Sequence, residues 1–260
     1  MEAAMSFKQI LGAIRRADLD YDLIHDGDRI CIGVSGGKDS LLLLYALSTY
    51  RRITMKYDHK SFSVLGIHLE MGFPGMDFTD LRAFLHQQDI PYLDYPTRIY
   101  DILKLYPDKE GKIQCSRCST LKKGAIVNAA IENGCNKTAF AHHADDAIET
   151  LVLNMIYGGR INVFEPAMHL ERKNMDFIRP LIYCSEEDIR KTATQELHLP
   201  IVLSGCPNDG YTKRAEVKDM LSELYKKYPQ ARENMLTSLS NQEQLKLWVK
   251  SGNHERKETK

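Results

Sequence analysis

Arg29-Ile30-Cys31-Ile32-Gly33-Val34-Ser35-Gly36-Gly37-Lys38-Asp39-Ser40, running into the apolar stretch Leu41 to Leu47, is where the fold of this chain is decided. Arg29 to Val34 reads as a short buried strand, Gly36 and Gly37 as a turn, and Leu41 to Thr49 as a buried helix. A strand, a glycine turn and a helix start bring backbone N–H groups and the positive end of a helix dipole to one point, where an anion can be held. Ser35 and Ser40 add hydroxyl donors and Lys38 adds a positive charge. Asp39 repels a bare phosphate but suits a metal-bound one. The Walker pattern is absent, because Ile32 stands where its first glycine belongs and Asp39 where its Ser or Thr belongs. The competing reading is a glycine turn with incidental polar residues.

Outward from this loop, strand-like and helix-like segments alternate. Phe7 to Ile24 has apolar residues at Phe7, Ile10, Leu11 and Ile14, which is helical spacing. Phe62 to Leu69 reads as a second strand, Phe78 to Gln88 as a helix, and Tyr92 to Tyr95 as a third strand. Ser116 to Asn133 reads as a helix stopped by Gly134, Thr138 to Ala141 as a fourth strand, and Asp145 to Tyr157 as a helix stopped by Gly158-Gly159. Phe177 to Tyr183 is a further strand candidate. Ser185 caps a helix from Glu186 to about Glu196, with Glu187 and Asp188 suited to its dipole. Thr212 to Val249 reads as helical, and His254 to Lys260 as a frayed tail. The expected class is α/β, a Rossmann-like parallel sheet with helices on both faces. The expected division is a helical segment at 1–25, the sheet domain at 26–205 and a helical extension at 206–260.

The chain has 260 residues, 43% of them hydrophobic and 27% charged, with 35 Lys+Arg against 35 Asp+Glu. That composition excludes dominant disorder. The zero balance argues against a general nucleic-acid coat. It is nevertheless uneven, since Gly111 to Ile131 holds Lys112, Arg117, Lys122 and Lys123 with no acid, and Lys213, Arg214, Lys218, Lys226 and Lys227 follow later. No apolar signal core precedes Arg15 and Arg16, and no run approaches the ~20 residues that span a bilayer. The expectation is a cytoplasmic protein without a membrane segment.

A second constellation is Ala141-His142-His143-Ala144-Asp145-Asp146-Ala147-Ile148-Glu149-Thr150. In an open parallel sheet the carboxyl ends of the strands line one crevice, so this segment and the glycine loop can face one ligand. Asp145 and Asp146 suit a Mg²⁺ ion bridging phosphates, and equally suit the capping of a helix start. No i, i+4 histidine or matching cysteine pattern makes a zinc site of His142 and His143.

Of six cysteines, only Cys115 and Cys118 form a C-x-x-C pair, at a helix start with Lys122 and Lys123 close behind. A helix N-terminus and nearby cations favour thiolate. The pair alone fits a redox couple, a zinc half-site or an iron–sulfur half-site. Cys206, in Leu203-Ser204-Gly205-Cys206-Pro207, is a candidate third ligand or a small core residue. Three thiolates can hold a [4Fe–4S] cluster while leaving one iron without a protein ligand. Cys31, Cys135 and Cys184 read as structural. Lys122, one turn after Cys118, can contact phosphate or a reacting base, or be a solvated lysine.

Ser35 to Ser40 resembles the S-G-G-x-D-S loop of the PP-loop ATP pyrophosphatase superfamily, whose members bind ATP and release pyrophosphate. His142 to Thr150 resembles that superfamily's second motif, with Ala141 in place of a glycine. From Cys115 to Tyr228 the chain resembles the tRNA 2-thiocytidine synthetase branch. The matching stretches are Cys118-Ser119 to Gly124, Leu153-Asn154-Met155, Tyr157-Gly158-Gly159, Ile178-Arg179-Pro180-Leu181, Asp188-Ile189, Asp219-Met220-Leu221 and Lys227-Tyr228-Pro229. Where family members often have a second C-x-x-C, Leu203 stands three residues before Cys206. The thiouridine branch carries zinc-finger cysteines at both ends. This chain has none before Cys31 or after Cys206.

The resemblance implies ATP-dependent adenylation of the C2 oxygen of a tRNA pyrimidine, an anticodon-loop cytidine, followed by replacement with sulfur. It implies ATP, Mg²⁺ and a [4Fe–4S] cluster as cofactors, and tRNA and a sulfur donor (sulfide or cysteine-desulfurase-derived sulfur) as partners. ATP binding would fall to Ser35, Gly36, Gly37, Lys38, Asp39, Ser40, His142 and Asp145. Cluster binding would fall to Cys115, Cys118 and Cys206, and Mg²⁺ to Asp39, Asp145 and Asp146. Lys38, Asp39, Lys122 and Asp145 would be catalytic, and Arg117, Lys123, Lys213 and Arg214 would grip tRNA. Many relatives are dimers, and the C-terminal helices offer a homodimer surface. Two alternatives stay open: a PP-loop sulfur-transfer enzyme acting on a small molecule or free nucleobase, and a non-catalytic ATP- or zinc-binding module.

Overall fold

The computed structural model describes residues 5–73, 75–108, 111, 113–206, 213–244 and 246–248. Lys112, Pro207, Thr212, Val249 and the tail from His254 to Lys260 lie outside the described residues.

The central strand β1 (Arg29–Gly33) carries three consecutive buried residues, Ile30, Cys31 and Ile32. A strand covered on both faces needs such a run. The pleat sends Ile30 and Ile32 to one face and Cys31 to the other. On the first face lie α1 (Phe7–Tyr21) and α2 (Lys38–Tyr57). Leu41 to Leu44, Ala46 and Leu47 of α2 are all buried, because this helix is enclosed by the sheet on one side and by helices on the other. Ile10, Ile14 and Ala17 of α1 join the same core. On the second face, Cys31 packs with Ile126, Val127, Ala129 and Ala130 of α5 (Cys115–Glu132).

The remaining strands are β2 (Ser63–Glu70), β3 (Tyr92–Pro96), β4 (Lys137–Ala139), β5 (Ala167–Leu170) and β6 (Met175–Ile178), in the order β3-β2-β1-β4-β6-β5. Every pairing is parallel except β5 with β6. The expected parallel sheet is therefore present, with one antiparallel edge that the sequence did not signal. β5 has no buried alternation to announce it. α3 (Thr79–Gln87) and a short α4 (Ile99–Leu105) flank β3; α4 buries only Ile99 and Leu103, too few positions for a periodic signal. The fourth strand stops two residues earlier than expected, although Phe140 N–H still donates to Ile178 O at 2.9 Å. The segment at 177–183 is strand only to Ile178 and then turns.

α6 (Ala144–Gly158) ends at Gly159, whose φ of +58° places it in the left-handed region. Ser185 caps α7 (Glu186–Lys191) by accepting from Asp188 N–H, and the helix continues as a π-helical stretch over Thr192–Glu196. The C-terminal segment breaks into α8 (Lys213–Lys227) and α9 (Ala231–Ser240) around Pro229. Val217 and Leu221 of α8 pack on Ile148 of α6. Among the described residues, no helix is long and apolar enough to cross a membrane.

Candidate active site

The strand order reverses at β1, with β2 and β3 on one side and β4, β6 and β5 on the other. β1 and β4 are parallel neighbours, with Ile32 opposite Ala139. Their carboxyl ends launch the Ser35–Ser40 loop and the His142–Asp146 segment, so both constellations flank one crevice at the switch point.

The glycine loop is tied together from within. Ser35 N–H donates to Ser40 Oγ at 3.2 Å, the two hydroxyls are 3.1 Å apart, and Ser40 Oγ donates to Gly37 O at 3.1 Å. Gly36 has φ +89°, and a Cβ there would lie 2.8 Å from Val202 Cβ and 3.0 Å from Phe78 Cε1. Its carbonyl accepts from Val202 N–H at 2.9 Å. Gly36 is therefore needed both for conformation and for space. Lys38 Nζ reaches Asp39 and Glu186, at 3.3 Å to Glu186 Oε1. Burial acts to depress the Lys38 ammonium, but these two carboxylates outweigh it and hold the pKa above its ordinary value.

The acidic helix start is heavily partnered. Asp146 closes a capping box with His143: His143 N–H donates to Asp146 Oδ2 at 3.1 Å, and Asp146 N–H to His143 Nδ1 at 3.3 Å. Asp145 accepts from Glu186 N–H at 2.7 Å and from Arg232 Nε at 2.7 Å, with Arg232 Nη2 at 3.3 Å. Burial acts to raise the Asp145 carboxyl, yet the Arg232 hydrogen bonds and charge, with the Glu186 amide, hold it below its usual range. Glu186 follows the same pattern: burial is overcome by Lys218, at 2.6 Å, and by Lys38.

Arg214, which the resemblance assigns to tRNA, is tied to the start of α6 with 42% of its side chain still exposed. It donates to Asp146 Oδ1 at 3.2 Å, Glu149 Oε2 at 2.8 Å and Thr150 Oγ1 at 3.2 Å. The reason is Glu149, whose burial pushes its carboxyl up and which needs a counter-charge. Arg232 and Glu186 were not singled out by the sequence. Neither lies in a motif, and Arg232 meets Asp145 across 87 residues.

Cys118 is buried against Ile99 and Leu103, while Cys115 is exposed and Cys206 half-buried. None of the six cysteines is in a disulfide. The expectation that a helix start and cations favour thiolate is not met at Cys118. Burial pushes this thiol up; Lys122 pulls it down only in part, and Cys206 and Cys115 push it further up. Lys122, Cys206 and Cys115 are thus near enough to Cys118 for their charges to act on it. Cys31, Cys135 and Cys184 are buried thiols raised by burial, Cys184 to about 12, as structural cysteines should be.

Three buried side-chain polar atoms among the described residues have no hydrogen bond: Asp39 Oδ1, His142 Nδ1 and Arg179 Nε. All three follow the carboxyl ends of β1, β4 or β6, the edge of a parallel sheet at which ligands bind. Asp39 Oδ1 is 3.1 Å from Lys38 Nζ without the alignment of a hydrogen bond. A hard oxygen left over beside a phosphate-type loop fits Mg²⁺. Three thiols fit a cluster in kind and number, although among the described residues no group of three His, Cys, Asp or Glu is already gathered to hold a metal. Lys123 and Lys213 are exposed, Lys213 lying 4.1 Å from the Tyr157 ring centroid, and Arg117 stacks on Tyr106 at 4.7 Å.

A family model described as a PP-loop domain matches residues 117–198. The chain is 36% identical over 238 residues to the tRNA-cytidine(32) 2-sulfurtransferase of Geobacter sulfurreducens, covering 90% of each. It is 36% identical over 234 residues to the protein of the same name from Coxiella burnetii, again covering 90% of each. Its fold is similar to that of the U34-tRNA thiolase NcsA from Methanococcus maripaludis, solved with its [4Fe-4S] cluster. That TM-score is 0.71 at 23% identity, covering 94% of this chain and 80% of that one. At 36% identity across nine tenths of its length, the chain belongs to the tRNA-cytidine(32) 2-sulfurtransferase family.

Proposed function

We propose that this protein thiolates C2 of an anticodon-loop cytidine in tRNA, first adenylating the C2 oxygen with ATP and then replacing it with sulfur. The observation that carries this reading is the shared crevice: the Ser35–Ser40 loop and the His142–Asp146 segment leave adjacent parallel strands. The electrostatic action of Cys115 and Cys206 on Cys118 supports it.

The backbone of Ser35 to Ser40 and the start of α2 hold the ATP phosphates, and Lys38 offsets the charge that develops on pyrophosphate as it leaves. Asp39 and the acidic start of α6 hold Mg²⁺, with Arg232 and Arg214 balancing Asp145 and Asp146 until nucleotide arrives. His142 lines the wall next to the α-phosphate. Lys122 stands one turn from Cys118 and orients the adenylated base by its charge. A [4Fe–4S] cluster on Cys115, Cys118 and Cys206 would supply an iron lacking a protein ligand, where external sulfide can be delivered. Arg117, Lys123 and Lys213 hold tRNA phosphates beside it. In this reading residues 26–205 are the catalytic domain, with 1–25 and 206–260 as helical additions. The sulfur donor is sulfide or a cysteine-desulfurase product, the location is the cytoplasm, and a homodimer forms through the C-terminal helices.

The test is pyrophosphate release measured with ATP alone, with free cytidine and with tRNA. Release that depends on tRNA supports the reading. Equal release with free cytidine moves the enzyme to small-molecule chemistry, and no release in any mixture refutes adenylation.

A further inference from the structure

The PP-loop chemistry does not account for Arg179. Arg179 is buried, only 6% exposed, yet among the described residues its guanidinium donates only to Glu165 O, Nε has no partner and no carboxylate hydrogen-bonds it. A buried cation left this incomplete is costly unless a ligand finishes its hydrogen bonding. His142 Nδ1, the second orphan, belongs to a ring packed against the same two phenylalanines as Arg179. The Phe164 ring is 4.8 Å from the His142 ring and 4.9 Å from the Arg179 guanidinium carbon. Phe140 backs both, at 5.8 Å and 5.9 Å.

We propose that Arg179, His142 and Phe164 form the subsite for the target pyrimidine and select cytosine over uracil. This rests on the tRNA-thiolation reading above. The Phe164 ring lies 4.8 Å from the imidazole and 4.9 Å from the guanidinium carbon, and so offers an aromatic face on which a pyrimidine can stack within reach of both.

Selectivity follows from the donors. A guanidinium only donates. Cytosine presents acceptors at O2 and N3 and a donor at N4. Arg179 satisfies the first two, and His142 Nδ1 accepts from N4–H when its proton is on Nε2. Uracil presents N3–H and O4 instead, so donor meets donor at Arg179 and acceptor meets acceptor at His142. His142 stays neutral for this role: burial pushes it down to about 4, and Arg179, Arg214 and Lys123 push the same way against Asp146.

The experiment measures binding of anticodon stem-loop RNA carrying cytidine, uridine or an abasic sugar at the target position, to the cluster-loaded protein with a non-hydrolysable ATP analogue. The wild type should prefer cytidine to uridine by at least tenfold, about 1.4 kcal/mol. In Arg179→Gln, whose amide can accept as well as donate, the two should bind about equally, with affinity for the ATP analogue unchanged. Arg179→Lys, which keeps the charge but not Nε, should lose the preference while retaining the unfolding midpoint. Wild-type binding without preference for cytidine overturns the subsite alone. So does an Arg179→Gln protein that weakens all three RNAs alike, as a merely structural residue would. Failure of tRNA to stimulate pyrophosphate release overturns the thiolation reading, and the subsite with it.

Discussion

Arg232→Met removes the guanidinium that reaches from α9 to the start of α6. Asp145 loses hydrogen bonds at 2.7 Å and 3.3 Å, and keeps only the Glu186 N–H. A hydrogen bond to a charged group contributes about 1.5–3 kcal/mol, and the second here is long. The Asp145 side chain is 19% exposed and that of Arg232 24%, so water recovers part of the loss. The net cost should be about 2 kcal/mol. For a chain of 260 residues that lowers the unfolding midpoint by about 4–8 °C. The pH dependence has a definite sign. The folded-state pKa of Asp145 is lowered, so the stabilisation is present above the ordinary carboxylate value near 4. It is lost as pH falls through the folded value. Thermal unfolding of wild type and variant at pH 7 and below pH 4 therefore gives a gap that closes in acid. A gap under about 0.5 kcal/mol at pH 7, or one unchanged in acid, would refute the reasoning.

The other perturbations read different parts of the same crevice. Gly36→Ala puts a methyl 2.8 Å from Val202 Cβ at φ +89°, and should cost about 2 kcal/mol or more in denaturant titration. Lys38→Met should slow tRNA-dependent pyrophosphate release by about 100-fold or more, with unfolding little changed. His142 takes up a proton more readily unfolded than folded, since its folded value is about 4 against 6.5. Wild type should therefore lose up to about 3 kcal/mol between pH 7 and pH 4 that a His142→Gln variant keeps, measured as the difference in their stability–pH curves.

How far the sequence reads depends on how local each feature is. The glycine loop is legible because its strand, turn, hydroxyls and lysine are contiguous from Arg29 to Ser40. The parallel sheet follows from alternating elements, and Cys31, Cys135 and Cys184, which the sequence reads as structural, are buried. What escapes is long-range pairing. Arg214 looks like one more cation in a basic stretch, and only the fold sets it against the buried Glu149. Glu186 reads as a helix-start acid, whereas it joins Lys38 and Lys218 across three elements. The edge strand β5 is exposed at Ala167, Met168 and His169, so no alternation marks it. The thiolate expectation at Cys118 fails for a related reason: the sequence shows the nearby lysines but not the apolar packing that outweighs them. Around the crevice the charges form specific pairs, Lys38 and Lys218 with Glu186, Arg214 with Glu149 and Arg232 with Asp145, while Lys123 and Lys213 are exposed.

The central claim is that three cysteines, an ATP loop and tRNA act in one reaction. The most direct measurement is anaerobic thiolation of tRNA with ATP, Mg²⁺ and sulfide, read as 2-thiocytidine by mass spectrometry of the digested RNA, for the iron-loaded wild type and Cys206→Ala. The account predicts 2-thiocytidine with the wild type and none above background with the variant. Equal product from the two proteins would contradict it.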